Sequence, residues 1–147
     1  MEIERKFLVE QIPDLAGVKS SKIVQGYISF SPETRIRKKD DTYYLTKKGE
    51  GMVAREEIEI EVSKKEADAY FERVISNLIE KTRYYIPLGK YTAELDIYEG
   101  KFDGLIVAEI EFPTLDEASS FTPPEWFSED ISEKKEYRNK ILAQKDL

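Results

Sequence analysis

From its second residue the chain alternates charged with apolar side chains, and this two-residue period returns in segment after segment. A period of two belongs to β-strands, whose successive side chains point to opposite faces. In Glu2–Val9, Glu2, Glu4 and Lys6 share one face, and Ile3, Arg5 and Phe7 share the other. In Ala54–Val62, Arg55, Glu57, Glu59 and Glu61 lie opposite Ile58, Ile60 and Val62. Any one such segment can be the solvated face of an edge strand. A whole set has fewer options: an open sheet packed on helices, or a barrel whose lumen receives one charged stripe per strand.

The remaining segments fit that frame. Lys22–Phe30, Thr34–Lys39 and Thr42–Lys48 read as strands joined by tight turns, with Arg35 and Arg37 on one face and Tyr43, Leu45 and Lys47 on another. Residues 49–51 read as a loop. Ser63 and Glu66 form a capping box, and Ala67, Tyr70, Phe71, Val74, Ile75 and Leu78 then follow at helical spacing. Ile79–Pro87, Tyr91–Glu99 and Leu105–Phe112 are three more strands. Thr114 caps a short helix, and Ser132 caps a last helix expected to run to about residue 145. The pattern predicts one domain over residues 1–147, with about eight mostly antiparallel strands, a few flanking helices and no internal repeat.

Composition narrows the chemistry. The 147 residues include no cysteine and no histidine, which excludes disulfides, thiolate or Ser-His catalysis, and cysteine or histidine metal sites. Charged residues make up 36% against a usual share of about a quarter, so the polar faces carry more charge than solubility requires. A net charge of −7 argues against general nucleic-acid or anionic-membrane binding. No segment approaches the roughly 18 apolar residues of a membrane span, and no signal peptide precedes the first strand, so a cytoplasmic protein is expected.

The charges are also sorted. Carboxylates cluster at Glu2 and Glu4, at Glu57, Glu59 and Glu61, at Glu94 and Asp96, and at Glu109 and Glu111. Cations cluster at Lys6, Arg35, Arg37, Lys47, Lys81 and Arg83. A lumen lined by both signs is costly unless the charges pair with each other or hold ions and ligand. An oligoanion suits the cations, and a hard divalent ion such as Mg²⁺ or Mn²⁺ suits the carboxylates.

Glu2-Ile3-Glu4-Arg5-Lys6 resembles the ExExK signature of the CYTH superfamily, the triphosphate tunnel metalloenzymes. Gln25-Gly26-Tyr27, Arg35-Ile36-Arg37, Leu45-Thr46-Lys47, Glu80 to Tyr84, Glu94-Leu95-Asp96, Glu109 to Phe112, Pro123 to Phe127 and Tyr137 to Lys140 resemble its short bacterial members in the same order. The resemblance implies a closed eight-stranded antiparallel barrel forming a tunnel, with a C-terminal helix. It implies metal ligands at Glu2, Glu4, Glu59, Asp96, Glu109 and Glu111, and a phosphate grip of Lys6, Arg35, Arg37, Lys47, Lys81, Arg83 and Lys135. Tyr27 and Lys81 resemble a catalytic pair. For Asp96, Glu109, Glu111, Glu2 and Glu4 the alternative is salt-bridging to the tunnel arginines, and for Glu57, Glu59 and Glu61 it is pairing with Arg35, Arg37 or Arg55. For Tyr27 it is packing, and for Lys135 an exposed helix position. The implied reaction is hydrolysis of a small-molecule triphosphate, inorganic tripolyphosphate first, with two Mg²⁺ or Mn²⁺ ions bound alongside it, by a monomer or homodimer. Thiamine or nucleoside triphosphate hydrolysis, adenylate cyclisation and non-catalytic polyphosphate binding are the alternatives.

Overall fold

The structure is a computed structural model and describes residues 1–50 and 53–147. The last residue of the loop expected at 49–51 lies outside the described residues. The strands are β1 (Glu2–Val9), β2 (Lys19–Phe30), β3 (Glu33–Lys39), β4 (Thr42–Lys48), β5 (Ala54–Arg55), β6 (Glu57–Val62), β7 (Ile79–Leu88), β8 (Tyr91–Glu99), β9 (Ile106–Glu111) and β10 (Phe127–Asp130). The helices are α1 (Lys64–Phe71), α2 (Leu115–Ser120) and α3 (Asn139–Leu142).

Every pairing is antiparallel, in the order β10-β1-β9-β8-β7-β2-β3-β4-β6. β5 closes the ring: Arg55 and Ala54 pair with Glu2 and Ile3 of β1, and the Glu4 amide donates to the Val53 carbonyl at 2.9 Å. β5 and β6 are one strand interrupted at Glu56, so the barrel has eight members, as expected. Its seam is narrow, because the rest of that edge of β1 is taken by β10 through Phe7 and Val9. Among the described residues no helix is long and apolar enough to cross a membrane.

The apolar residues form two clusters, and neither fills the lumen. One lies outside the barrel, where Ile3, Phe7, Leu95, Ala108 and Ile110 pack under Phe112, Ala118 and Phe127. The other joins Tyr27, Ile79, Tyr98 and Val107 to Ile131, Leu142 and Ala143 of the C-terminal segment, and closes the base of the lumen. The charged stripes are left to line the space between.

Two helices depart from the periodicity. The helix expected to reach Leu78 stops at Phe71. Beyond it the chain turns onto β2, where the Ile75 amide donates to the Tyr27 carbonyl and the Tyr27 amide to Ser76 Oγ, both at 2.9 Å. The register shift between Tyr27 and Ser29 marks the same spot. Gly26 makes the approach possible: a Cβ there would sit 2.7 Å and 2.8 Å from the two Val74 methyls. Gly26→Ala is therefore expected to destabilise the protein by about 1–3 kcal/mol, read from a denaturant titration. An unchanged midpoint would show that residues 74–78 do not hold this position.

The C-terminal helix expected over 133–145 is broken. A 3₁₀ turn spans Lys135–Tyr137, Arg138 is extended, and α3 covers four residues. Ile131 on one side and Leu142 on the other are anchored in the basal cluster, and a straight helix cannot deliver both.

Candidate active site

In an antiparallel ladder, directly paired residues point to the same face. The registers therefore carry one inward stripe round the ring. Lys6 faces Glu109, Glu4 faces Glu111, and Arg83 faces Asp96. Tyr27 faces Arg35, Gln25 faces Arg37, Arg35 faces Thr46, and Glu33 faces Lys48. Lys48 faces Glu57, and Thr46 faces Glu59. The stripes converge on a cavity of about 260 Å³, bounded on one side by Lys134, Arg138 and Lys140 of the C-terminal segment.

Of the residues expected in the site, Glu2, Glu4, Lys6, Tyr27, Arg35, Arg37, Glu59, Arg83, Glu109 and Glu111 line this one cavity. Lys47 does not. It is exposed on the outer face opposite Ile58, and Lys48 takes the inward place. The signal was available: the two-residue turn Asp40–Asp41 sets Lys39 opposite Thr42, which carries Thr46 and Lys48, not Lys47, to the face of Arg35. Lys135 is exposed in the 3₁₀ turn outside the cavity wall, while Lys134, Arg138 and Lys140 reach it. Glu33 and Arg55 also line the cavity, as an ion pair at 3.1 Å.

Lys81 and Asp96 face inward but lie beneath the cavity floor, 0% and 1% exposed. Asp96, expected among the metal ligands with pairing to the tunnel arginines as the alternative, has both its oxygens engaged. Arg83 donates to them at 2.7 and 2.9 Å, and Lys81 Nζ sits 2.7 Å from Oδ2, close enough for an ion pair but without hydrogen-bond alignment. Burial, then Arg83 and Arg37, press the Lys81 pKa down to about 7, with Asp96 opposing. Burial pushes the Tyr27 phenol up to about 12, so near neutral pH it keeps its proton.

Arg35, Arg37 and Arg83 differ in what holds them. Arg83 is compensated by Asp96 and by Glu94 at 3.3 Å. Arg37 donates its Nε–H to the neutral Gln25 Oε1 at 2.8 Å and forms no ion pair among the described residues. Burial, Arg35 and Arg83 pull its pKa down to about 9. Arg35 is 5% exposed, and its Nε has no hydrogen-bond partner among the described residues. The carboxylates are crowded in turn. Burial works against ionisation of Glu109, but Lys6, Arg83 and Lys81 outweigh it and hold the group well below the usual range. Glu4 carries the proton of this cluster, pushed up to about 8 by burial, Glu109 and Glu2. Among the described residues no three carboxylates gather closely enough to hold a metal unaided.

Glu4 implies a pH dependence. Its folded pKa, about 8, exceeds its ordinary value of 4.5, so between these values the folded state holds a proton that the unfolded chain releases. Metal-free stability should fall as pH rises through that window. Glu4→Gln is expected to flatten the fall, read as melting temperature against pH. An unchanged slope would place the proton elsewhere. At the misassigned lysines, Lys48→Met should raise KM for an oligophosphate about tenfold, while Lys47→Met leaves it unchanged. The reverse would show that β4 presents its other face to the lumen.

A closed antiparallel barrel whose ionisable stripes meet in one internal cavity defines the class: a charged tunnel protein with its binding site in the lumen. The chain belongs to the CYTH domain family, whose model matches residues 1–145. It is 38% identical to an inorganic triphosphatase of Nitrosomonas europaea, over 97% of this chain and 96% of that one. It is 35% identical to an inorganic triphosphatase of Acetivibrio thermocellus, over 97% of this chain and 92% of that one. A crystal structure of an inorganic triphosphatase matches with a TM-score of 0.73 at 35% identity, covering 97% of this chain and 94% of that chain.

Proposed function

We propose that this chain hydrolyses a triphosphate in its tunnel, with inorganic tripolyphosphate as substrate and pyrophosphate and phosphate as products. The observation that carries this is a pair of buried cations that form no ion pair among the described residues, Arg35 with its Nε unsatisfied and Arg37 held by a neutral amide. Guanidinium forks suit phosphate oxygens, and a buried cation without a counter-charge gains most from an anion. Both relatives reported above are inorganic triphosphatases. The cavity lining is almost wholly charged, and Tyr27 is its one aromatic residue. That suits a bare chain of phosphates better than a nucleobase.

Glu2, Glu4, Glu109 and Glu111 offer only oxygen donors, which fit Mg²⁺ or Mn²⁺. Since no three converge among the described residues, phosphate oxygens would complete the coordination, and the ions would bind once the cations have drawn the phosphates in. When bound, the ions supply charge neutralisation and polarisation at the phosphates. Arg35, Arg37, Lys6 and Lys48 align the chain of phosphates for attack by water on the terminal phosphorus. Phosphoryl transfer needs little beyond this positioning and charge stabilisation. Tyr27 donates a hydrogen bond from the floor. Lys81 acts through Asp96, holding it against Arg83, and does not touch the substrate in this arrangement.

The test is phosphate release from tripolyphosphate, longer polyphosphate, ATP and thiamine triphosphate, with Mg²⁺, Mn²⁺ or EDTA. Tripolyphosphate turnover that EDTA abolishes is expected. Turnover in EDTA would remove the metal, preference for ATP would overturn the substrate, and cyclic AMP as product would replace hydrolysis by cyclisation.

A further inference from the structure

Gln25 sits in the middle of β2 with 0% exposure and does not line the cavity. Its cross-strand neighbours are Arg37 on β3 and Ile79 on β7. Its Oε1 accepts the Arg37 Nε–H at 2.8 Å, and among the described residues its Nε2 has no hydrogen-bond partner. Only the oxygen of an amide can accept from a guanidinium, so Arg37 dictates which way the amide faces. A buried amide nitrogen without an acceptor is destabilising, and an apolar side chain of the same volume would pack there with no such penalty. An apolar residue would instead orphan the buried Arg37 Nε–H, so the amide is explained by its single bond to Arg37.

The contrast with Arg83 shows what that bond does. Arg83 is fixed by a carboxylate, and its charge is largely cancelled where it stands. A neutral amide also fixes the plane of a guanidinium, but it leaves the whole positive charge in place. It takes only Nε, so both terminal nitrogens of Arg37 stay available for a two-pronged contact with phosphate oxygens.

We propose that Gln25 is a positioning residue for the anion site, holding Arg37 in register by its Nε while keeping the full charge of Arg37 for phosphate. The proposal rests on the triphosphate reading of the cavity. It makes Arg35 and Arg37 the anchor for the oligophosphate and Arg83 part of the supporting floor. It also makes the neutrality of position 25 as important as its hydrogen bond.

Two variants separate these properties. Gln25→Met keeps the volume and removes the acceptor. Gln25→Glu keeps the acceptor and adds a counter-charge. The measurements are calorimetric affinity for inorganic tripolyphosphate in EDTA, where no turnover is expected, exchange protection of the Arg37 Nε–H by NMR without ligand, and melting temperature. Gln25→Met is expected to lose the Nε–H protection, to bind about tenfold more weakly and, since it exchanges an orphaned amide nitrogen for an orphaned Arg37 Nε–H, to melt within a few degrees of wild type. Gln25→Glu is expected to keep the protection and still bind at least tenfold more weakly. Unchanged affinity in both variants would reduce Gln25 to packing and overturn the proposal. Wild-type affinity in Gln25→Glu alone would overturn the neutrality argument, and should Gln25→Met fail to fold, the Glu variant decides the matter. A wild-type protein that binds tripolyphosphate yet releases no phosphate with Mg²⁺ would sink the hydrolase reading and leave this one standing. One that does not bind tripolyphosphate overturns both.

Discussion

Arg35→Ala should lower kcat/KM for tripolyphosphate by on the order of 10³-fold while the protein melts at or above the wild-type temperature. Arg35 points inward from β3, between Tyr27 of β2 and Thr46 of β4. Among the described residues it forms no ion pair, and its Nε is orphaned. Its neighbours make matters worse: after burial, Arg35 with Arg55 holds the Lys48 pKa below the usual lysine value, and Arg35 also acts on Arg37. Burying a cation without a counter-charge destabilises the ligand-free fold. Alanine removes that penalty, and the small loss of packing from the aliphatic stem offsets only part of the gain. The same missing counter-charge is what a triphosphate supplies, so substrate and transition state lose a strong contact. Arg35→Lys keeps the charge and loses the fork, and should fall between. Steady-state kinetics beside a melting curve decide the matter. A variant that melts well below wild type yet keeps its KM would make Arg35 a structural residue.

Glu109→Gln has the opposite signature on stability. Glu109 is 9% exposed, 3.2 Å from Lys6 Nζ, and paired across the sheet with Lys6 and Glu94. Lys6, Arg83 and Lys81 keep it ionised against the effect of burial. Glutamine preserves the volume and drops the charge, leaving those cations short of a counter-ion. Breaking a buried pair from one side costs about 3–5 kcal/mol, so the variant should melt lower. Activity should fall by on the order of 10²-fold or more, because a donor for the divalent ion goes with the charge. The Glu4 carboxyl, relieved of a neighbour, should titrate lower, and the slope of stability with pH should shrink with it. Glu111→Gln is the control: Glu111 is exposed at the edge of the cavity, so its loss should leave the fold untouched. Normal melting of Glu109→Gln with an unchanged Mg²⁺ requirement would remove Glu109 from both roles.

The two misplaced lysines show where a sequence stops being informative. On β4 both faces end in a lysine, so charge alone could not choose between Lys47 and Lys48. The turn at Asp40–Asp41 could have, because hairpin length sets register and register sets the inward face. At the C-terminus the local pattern favoured one helix, and tertiary anchoring of Ile131 and Leu142 overrode it. No local signal marks Arg138 as the residue that turns back toward Glu33, 3.4 Å away.

The strands, their charged stripes, the eight-membered barrel and the family were legible in the sequence, because a two-residue period is a local property and the matching motifs follow in order. The tertiary structure alone decided which charges cancel. Asp96 lies 13 residues from Arg83 and Gln25 lies 12 from Arg37, and only strand register brings each pair together. Depth was equally hidden. Lys81 and Lys6 both read as inward cations, yet the basal cluster of Tyr27, Ile79 and Tyr98 seals the first below the floor and leaves the second on the cavity wall. A pattern along the chain specifies the side of the sheet. Closure of the ring through β5 and β1 sets how far down the lumen each side chain stands, and so which cations remain for the substrate.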